Sequence, residues 1–127
     1  VIGVVLDIEV VIRGLGEPEG PGSQLMKSAL AGRFVPITTP RLLDELARTL
    51  RRRELRGAFP RSRRIVSLIE DMSMVIEPRG AVRVMHEEPA NHLLAAARAS
   101  AASYLATWGV ELLALGRFED TRIVQPT

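Results

Sequence analysis

The sequence predicts an α/β fold built on a central parallel sheet, and three observations point there. Residues 2–9, Ile2-Gly3-Val4-Val5-Leu6-Asp7-Ile8-Glu9, form a nearly unbroken apolar run that ends in carboxylates. A run of that kind reads as a strand buried on both faces, with its acid at the carboxyl end where open α/β sheets place their sites. Short apolar segments then alternate with helical patterns, the βαβ rhythm whose right-handed crossovers make strands parallel. The 127 residues suffice for one compact domain, 1–127, and an apolar content of 46% supplies its core.

After the first strand come Val10-Val11-Ile12 and a Gly/Pro/Glu stretch from Gly14 to Gly22, which reads as a flexible loop. It is no phosphate cradle, because the Lys-Ser/Thr pair that completes a P-loop is missing. Leu25, Met26, Ala29 and Leu30 lie at helical spacing within 22–31, and Gly32 supplies the C-terminal cap. Phe34 to Thr38 reads as a second strand. Thr39-Pro40 opens the next helix, threonine as N-cap and proline at the first helical position. Its stripe is Leu42, Leu43, Leu46, Ala47 and Leu50.

Gly57 and Pro60 break the following basic run, and a further helix over about 60–72 buries Ile65, Leu68 and Ile69. Met74 to Glu77 reads as a third strand and Pro78-Arg79-Gly80 as a turn. Glu88-Pro89 opens a helix that runs to about Ala101. Tyr104 to Thr107 is a fourth strand, Val110 to Leu115 a short helix, and Arg122 to Val124 a closing strand. The predicted sheet therefore has four to five strands.

Composition excludes several functions. Without cysteine there is no disulfide framework, thiolate zinc site or cysteine nucleophile. No apolar run reaches the ~18–20 residues of a membrane span, and the apolar start lacks the basic flank and cleavage site of a signal peptide. A cytoplasmic setting with no membrane partner is the expectation. The net charge is only +2, yet between Arg48 and Arg64 eight arginines face one acid, Glu54, leaving −5 on the remainder. Arg48, Arg51, Arg52, Arg53 and Arg56 span about two helical turns, so some point outward together. Such a cluster suits phosphate oxygens, and RNA is the candidate partner. A solvated face paired with acids, or an acidic partner protein, uses the same residues.

The order of these pieces, with their local words, resembles the PIN domain, in the branch of toxin components of toxin–antitoxin pairs. Val4-Val5-Leu6-Asp7 is similar to that family's opening strand and first aspartate. Leu42-Leu43-Asp44-Glu45-Leu46 looks like its second acidic motif, with Glu45 in the catalytic position. Tyr104-Leu105-Ala106-Thr107 and Glu111-Leu112-Leu113-Ala114-Leu115 resemble its fourth strand and following helix. Arg122-Ile123-Val124-Gln125-Pro126 resembles its last strand. The resemblance implies a three-layer α/β/α sandwich, acids gathered at one end of the sheet, Mg²⁺ or Mn²⁺ as cofactor and RNA cleavage as the activity. It also implies an antitoxin-like protein partner and a homodimer. Hard divalent cations take oxygen ligands, which fits clustered carboxylates.

The chain departs from that pattern. Ile8-Glu9 stands where a polar pair follows the first aspartate, Ala90 where the third acid belongs, and Gly109 where Thr-Gly-Asp carries its aspartate. Two of the four expected carboxylates are absent, and neither replacement can ligate a metal through a side chain. Asp7 and Glu45 are the candidate catalytic residues. With Glu9 as a third oxygen donor, sharing a strand face with Asp7, they are the candidate ligands of a weakly held cation. Each acid has a structural alternative: Glu45 an ion pair with Arg41 or Arg48, Asp7 a role as cap or turn acceptor. Trp108, the sole tryptophan, either packs in the core or gives a base a stacking face. His92 and His86 form no nucleophilic triad with Ser103 or Thr107.

Two functional readings result. One is an RNA- or partner-binding module on a PIN scaffold that has lost catalysis. The alternative is an active Mg²⁺/Mn²⁺-dependent ribonuclease using a reduced carboxylate set. A receiver-like domain with Asp7 as phosphoacceptor is the lesser third, since it lacks the acidic neighbours and lysine of that chemistry.

Overall fold

β1 (Gly3–Leu6) occupies the middle of a sheet that has six strands among the described residues. The computed structural model describes residues 1–55, 57 and 61–126. Along the chain follow α1 (Ile8–Gly16), α2 (Pro21–Leu30), β2 (Val35–Thr38), α3 (Pro40–Leu55), α4 (Ser62–Met72) and β3 (Met74–Val75). Then come α5 (Glu88–Ser100), β4 (Tyr104–Ala106), α6 (Val110–Leu115), β5 (Arg117–Phe118) and β6 (Thr121–Val124). The strand order is β3-β2-β1-β4-β6-β5, and all pairings are parallel except β5 with β6.

The sheet separates two apolar clusters. Val5, Ile37, Leu105 and Ile123 pack with Leu93, Leu94 and Leu112 on one side. Val4, Leu6 and Ala106 pack with Val10, Val11, Ile12, Leu46, Leu50 and Ile69 on the other. Neighbouring β1 residues thus feed opposite layers, as the period of two requires, and the result is the three-layer α/β/α arrangement. No described helix is long and apolar enough to cross a membrane.

Several local expectations are corrected, among them the burial of Leu68, which is exposed on α4, and the strand number, which is six among the described residues. The first strand stops at Leu6, and Asp7 is the N-cap of α1 rather than a strand residue. Glu9 lies in the first turn of α1, so it shares no strand face with Asp7. The stretch from Gly14 to Gly22 is not one loop: its first residues finish α1 and its last begin α2. A Cβ on Gly22 would meet the Val10 carbonyl oxygen at 2.8 Å and the Gly14 nitrogen at 2.9 Å. Glycine there lets two helix backbones touch, so it serves proximity rather than flexibility. The third strand is only Met74–Val75, and a two-residue strand, β5, forms a hairpin with β6.

Other boundaries agree closely with the expectations. The Thr39 hydroxyl accepts the Leu42 N–H at 3.1 Å, which caps α3. Gly32 adopts φ +77° just after α2. α4 begins at Ser62, and the expected start at Pro60 lies outside the described residues.

Candidate functional site

The sheet order reverses about β1: the chain passes to β2 on one side and returns with β4 on the other. The crevice at the carboxyl ends of such strands is where open α/β sheets hold ligands. Leu6 is paired with Ala106, so Asp7 and Thr107 emerge side by side as the next residues of their strands. The Asp7 N–H donates to the Ala106 carbonyl at 3.2 Å, and the Thr107 N–H to the Val124 carbonyl at 3.0 Å.

Asp7 is half-buried, and one of its carboxylate oxygens has a close internal partner. The hydroxyl of Thr107, itself fully buried, donates to Asp7 Oδ2 at 2.7 Å. That hydroxyl accepts the Gly109 N–H at 2.9 Å, so its donor and one acceptor site are both used. Asp7 Oδ1 takes a long contact, 3.5 Å, from the Glu9 N–H at the first turn of α1, where the helix dipole favours an anion. Gly109 precedes α6, and a Cβ there would press on the Thr107 hydroxyl at 3.3 Å. Glycine at 109 therefore leaves the Asp7–Thr107 link undisturbed.

Glu45 lies on α3 and is held by Arg41 at 3.4 Å, one turn earlier. Arg41 also grips Glu88 at the start of α5, so one guanidinium joins two helices. That second contact leads the effects that raise the Arg41 pKa, and it holds the Glu88 carboxyl below its ordinary range. Ala90, in the first turn of α5, packs against the apolar cluster beneath it. Asn91 is buried, accepts the N–H groups of Val84 and Met85 at 3.0 and 2.8 Å, and donates to the Met85 carbonyl at 3.0 Å. Glu111, in α6, accepts the His86 N–H at 3.3 Å and so joins α6 to the segment before α5.

Glu9 is exposed on α1. Among the described residues, no three histidine or carboxylate side chains gather as a metal-holding group. Arg48, Arg51 and Arg52 are exposed on α3 at spacings of three and four, and so share a face. Arg53 lies half-buried on the same helix, and Arg56 falls outside the described residues.

A cleft of about 520 Å³ beside these helices is lined by Arg41, Glu77, Arg83, Glu88, Asn91 and His92, among others. His92 Nε2 lies 2.8 Å from the Thr39 hydroxyl. The Thr39 hydroxyl also accepts the Leu42 N–H, and its role toward Nε2, donor or acceptor, follows the imidazole tautomer. Burial pushes the imidazole below its usual pKa, with Arg41 adding to the effect and Glu88, Glu45 and Glu77 opposing it. The unfolded chain then binds this proton more readily than the folded one. Stability contributed by neutral His92 is present above about 6.5 and is lost as pH falls through that value toward the lower folded pKa. Urea unfolding at neutral and mildly acidic pH should show that loss, and His92→Gln should shrink it. An unchanged pH dependence in that variant would contradict the assignment.

Several of these partners were not visible in the sequence. Thr107 carries no signal as the holder of Asp7, because the two meet only through the β1–β4 register. Arg13 and Trp108 likewise meet across the fold, the guanidinium carbon 4.7 Å from the ring centre. The Arg41–Glu45 pair is foreseeable from its spacing, whereas Glu88 is not.

Comparison with known proteins gives one family. A family model described as the PIN domain matches residues 3–111, well over half of the chain, from β1 into the first turn of α6. No curated protein and no solved structure matches.

Proposed function

The chain belongs to the PIN domain family, and on that premise we propose that residues 1–127 form a single domain of nuclease-type fold that has lost its catalytic centre and binds RNA. The observation that carries this reading is how the two retained acids are used. Asp7 is tied to the Thr107 hydroxyl, and Glu45 to Arg41. The positions expected to complete the set hold Ala90 and Gly109. PIN domains generally depend on a divalent metal, and this donor set does not fit one. Asp7 and Glu45 already share their carboxylates with a hydroxyl and a guanidinium, and no third acid joins them in a metal-holding group among the described residues. No chemical step is therefore assigned to a metal here. The same reading carries a homodimer and a cytoplasmic setting, both by family resemblance.

RNA is favoured as partner by the arginine face of α3. Arg48, Arg51 and Arg52 offer forked donors for phosphate, with Arg53 and Arg56 continuing the run. Phosphate contacts release counterions, so affinity should fall steeply with salt. Replacing Arg48, Arg51 and Arg52 together with alanine should weaken single-stranded RNA binding at least about tenfold. The slope of log affinity against log salt should drop by roughly 2, about 0.7 for each lost contact. Fluorescence anisotropy between about 50 and 200 mM salt measures both. Affinity unchanged in the triple variant would remove these arginines from the interface.

A second reading, a segment of an antitoxin-like protein as partner, is favoured by a different feature. A groove of about 620 Å³ is lined by Ile2, Leu25, Phe34, Tyr104, Val124 and Pro126, and contains neither Asp7 nor Glu45. An apolar lining of that kind suits a hydrophobic side chain better than a phosphate.

A further inference from the structure

We propose that Arg13 and Trp108 form a stacking platform that takes one unpaired base of a single-stranded RNA beside Asp7. The proposal rests on the RNA reading above and assigns the base contact that the phosphate-directed arginines of α3 leave open.

Trp108 directly follows Thr107, whose hydroxyl holds Asp7, so the indole stands at the rim of the sheet crevice. It is half-buried and packs against the cluster that contains Val10, Ile12 and Ala106. Core packing accounts for the indole's body but not for its cap. Arg13, exposed in the last turn of α1, lays its guanidinium over the ring at 4.7 Å. Among the described residues, no carboxylate lies within ion-pair distance of Arg13. Its charge is thus held against a π face, with no ion pair among the described residues.

A guanidinium over an indole orients a flat cation whose N–H groups radiate sideways. A base can stack on such a plane while the donors reach the flanking phosphate. Single-stranded RNA supplies both parts, because an unpaired base has a free π face and each nucleotide brings its anion. A duplex keeps its bases stacked on one another. An acidic protein segment would neutralise Arg13 and leave the indole without a role.

Trp108 is the sole tryptophan, so selectively excited tryptophan emission reports this position alone. Titration with an oligoadenylate single strand should quench it saturably, whereas duplex RNA or an acidic peptide should not. Arg13→Ala and Trp108→Leu should each weaken binding of labelled RNA about 5- to 100-fold, the range of one base's stacking. Trp108→Phe, which keeps an aromatic face, should lose less than Trp108→Leu. Thermal melts of each variant verify that it is folded, and Arg13 is exposed, so Arg13→Ala tests the idea without touching the core. Wild-type affinity in folded Arg13→Ala, with unquenched emission in the parent, overturns the platform and leaves RNA binding elsewhere intact. Equal quenching by the acidic peptide overturns it in favour of a protein partner. An absence of RNA binding by the wild-type chain in both assays overturns the platform together with the reading beneath it.

Discussion

Replacing Asp7 with alanine should destabilise the protein by about 2–3 kcal/mol and lower Tm by about 6–12 °C. The cost comes mainly from one bond. Thr107 is fully buried, and its hydroxyl donates to Asp7 at 2.7 Å, a hydrogen bond to a charged acceptor worth about 1.5–3 kcal/mol. Alanine leaves that donor without its acceptor. The long contact to the Glu9 N–H adds little, since 3.5 Å is at the limit of a hydrogen bond. Asp7→Asn should cost less, because its amide oxygen still accepts from Thr107. The direction of the effect discriminates. In a catalytic cluster, carboxylates repel one another when no cation is bound, so removing one stabilises the fold. Thermal unfolding in chelator should place Asp7→Ala clearly below the wild type. A raised Tm would mean that Asp7 sits among uncompensated acids.

The sequence made the alternation of strands and helices legible because most elements have their own apolar period and their own punctuation. Thr39-Pro40 announces α3 and Glu88-Pro89 announces α5, each by a local rule that the fold obeys. The junction of β1 and α1 was not legible. Apolar residues flank Asp7 on both sides, Val4 to Leu6 before it and Ile8 and Val10 to Ile12 after it, so the pattern marks no clear boundary there. The glycines at 14 and 22 misled for a related reason. Their value is close helix approach, and composition cannot distinguish that from a loop. β5, at two residues, is too short to carry any pattern.

Asp7 was identifiable as the acid at the end of a buried strand, and that position is what the fold gives it. What it does there depends on a residue 100 positions away. The same holds for Arg41, whose partner on its own helix follows from spacing while Glu88 follows only from how α3 and α5 dock. Side chains that act within one element are readable from one element, and the site lies between several.

The second large effect concerns divalent cations. An Mg²⁺ or Mn²⁺ site gains its affinity from several oxygens already converging with no better partner. Here Asp7 and Glu45 each share a carboxylate with another partner, while Ala90 and Gly109 offer no side-chain oxygen. Glu9 stands exposed on α1, and no third acid joins the pair among the described residues. Isothermal titration of the wild-type chain with Mn²⁺ measures this directly, with an RNA-cleavage assay on the same sample. The expected result is no binding tighter than about 1 mM and no cleavage. Micromolar binding that Asp7→Asn abolishes, accompanied by cleavage, would contradict it and restore the ribonuclease.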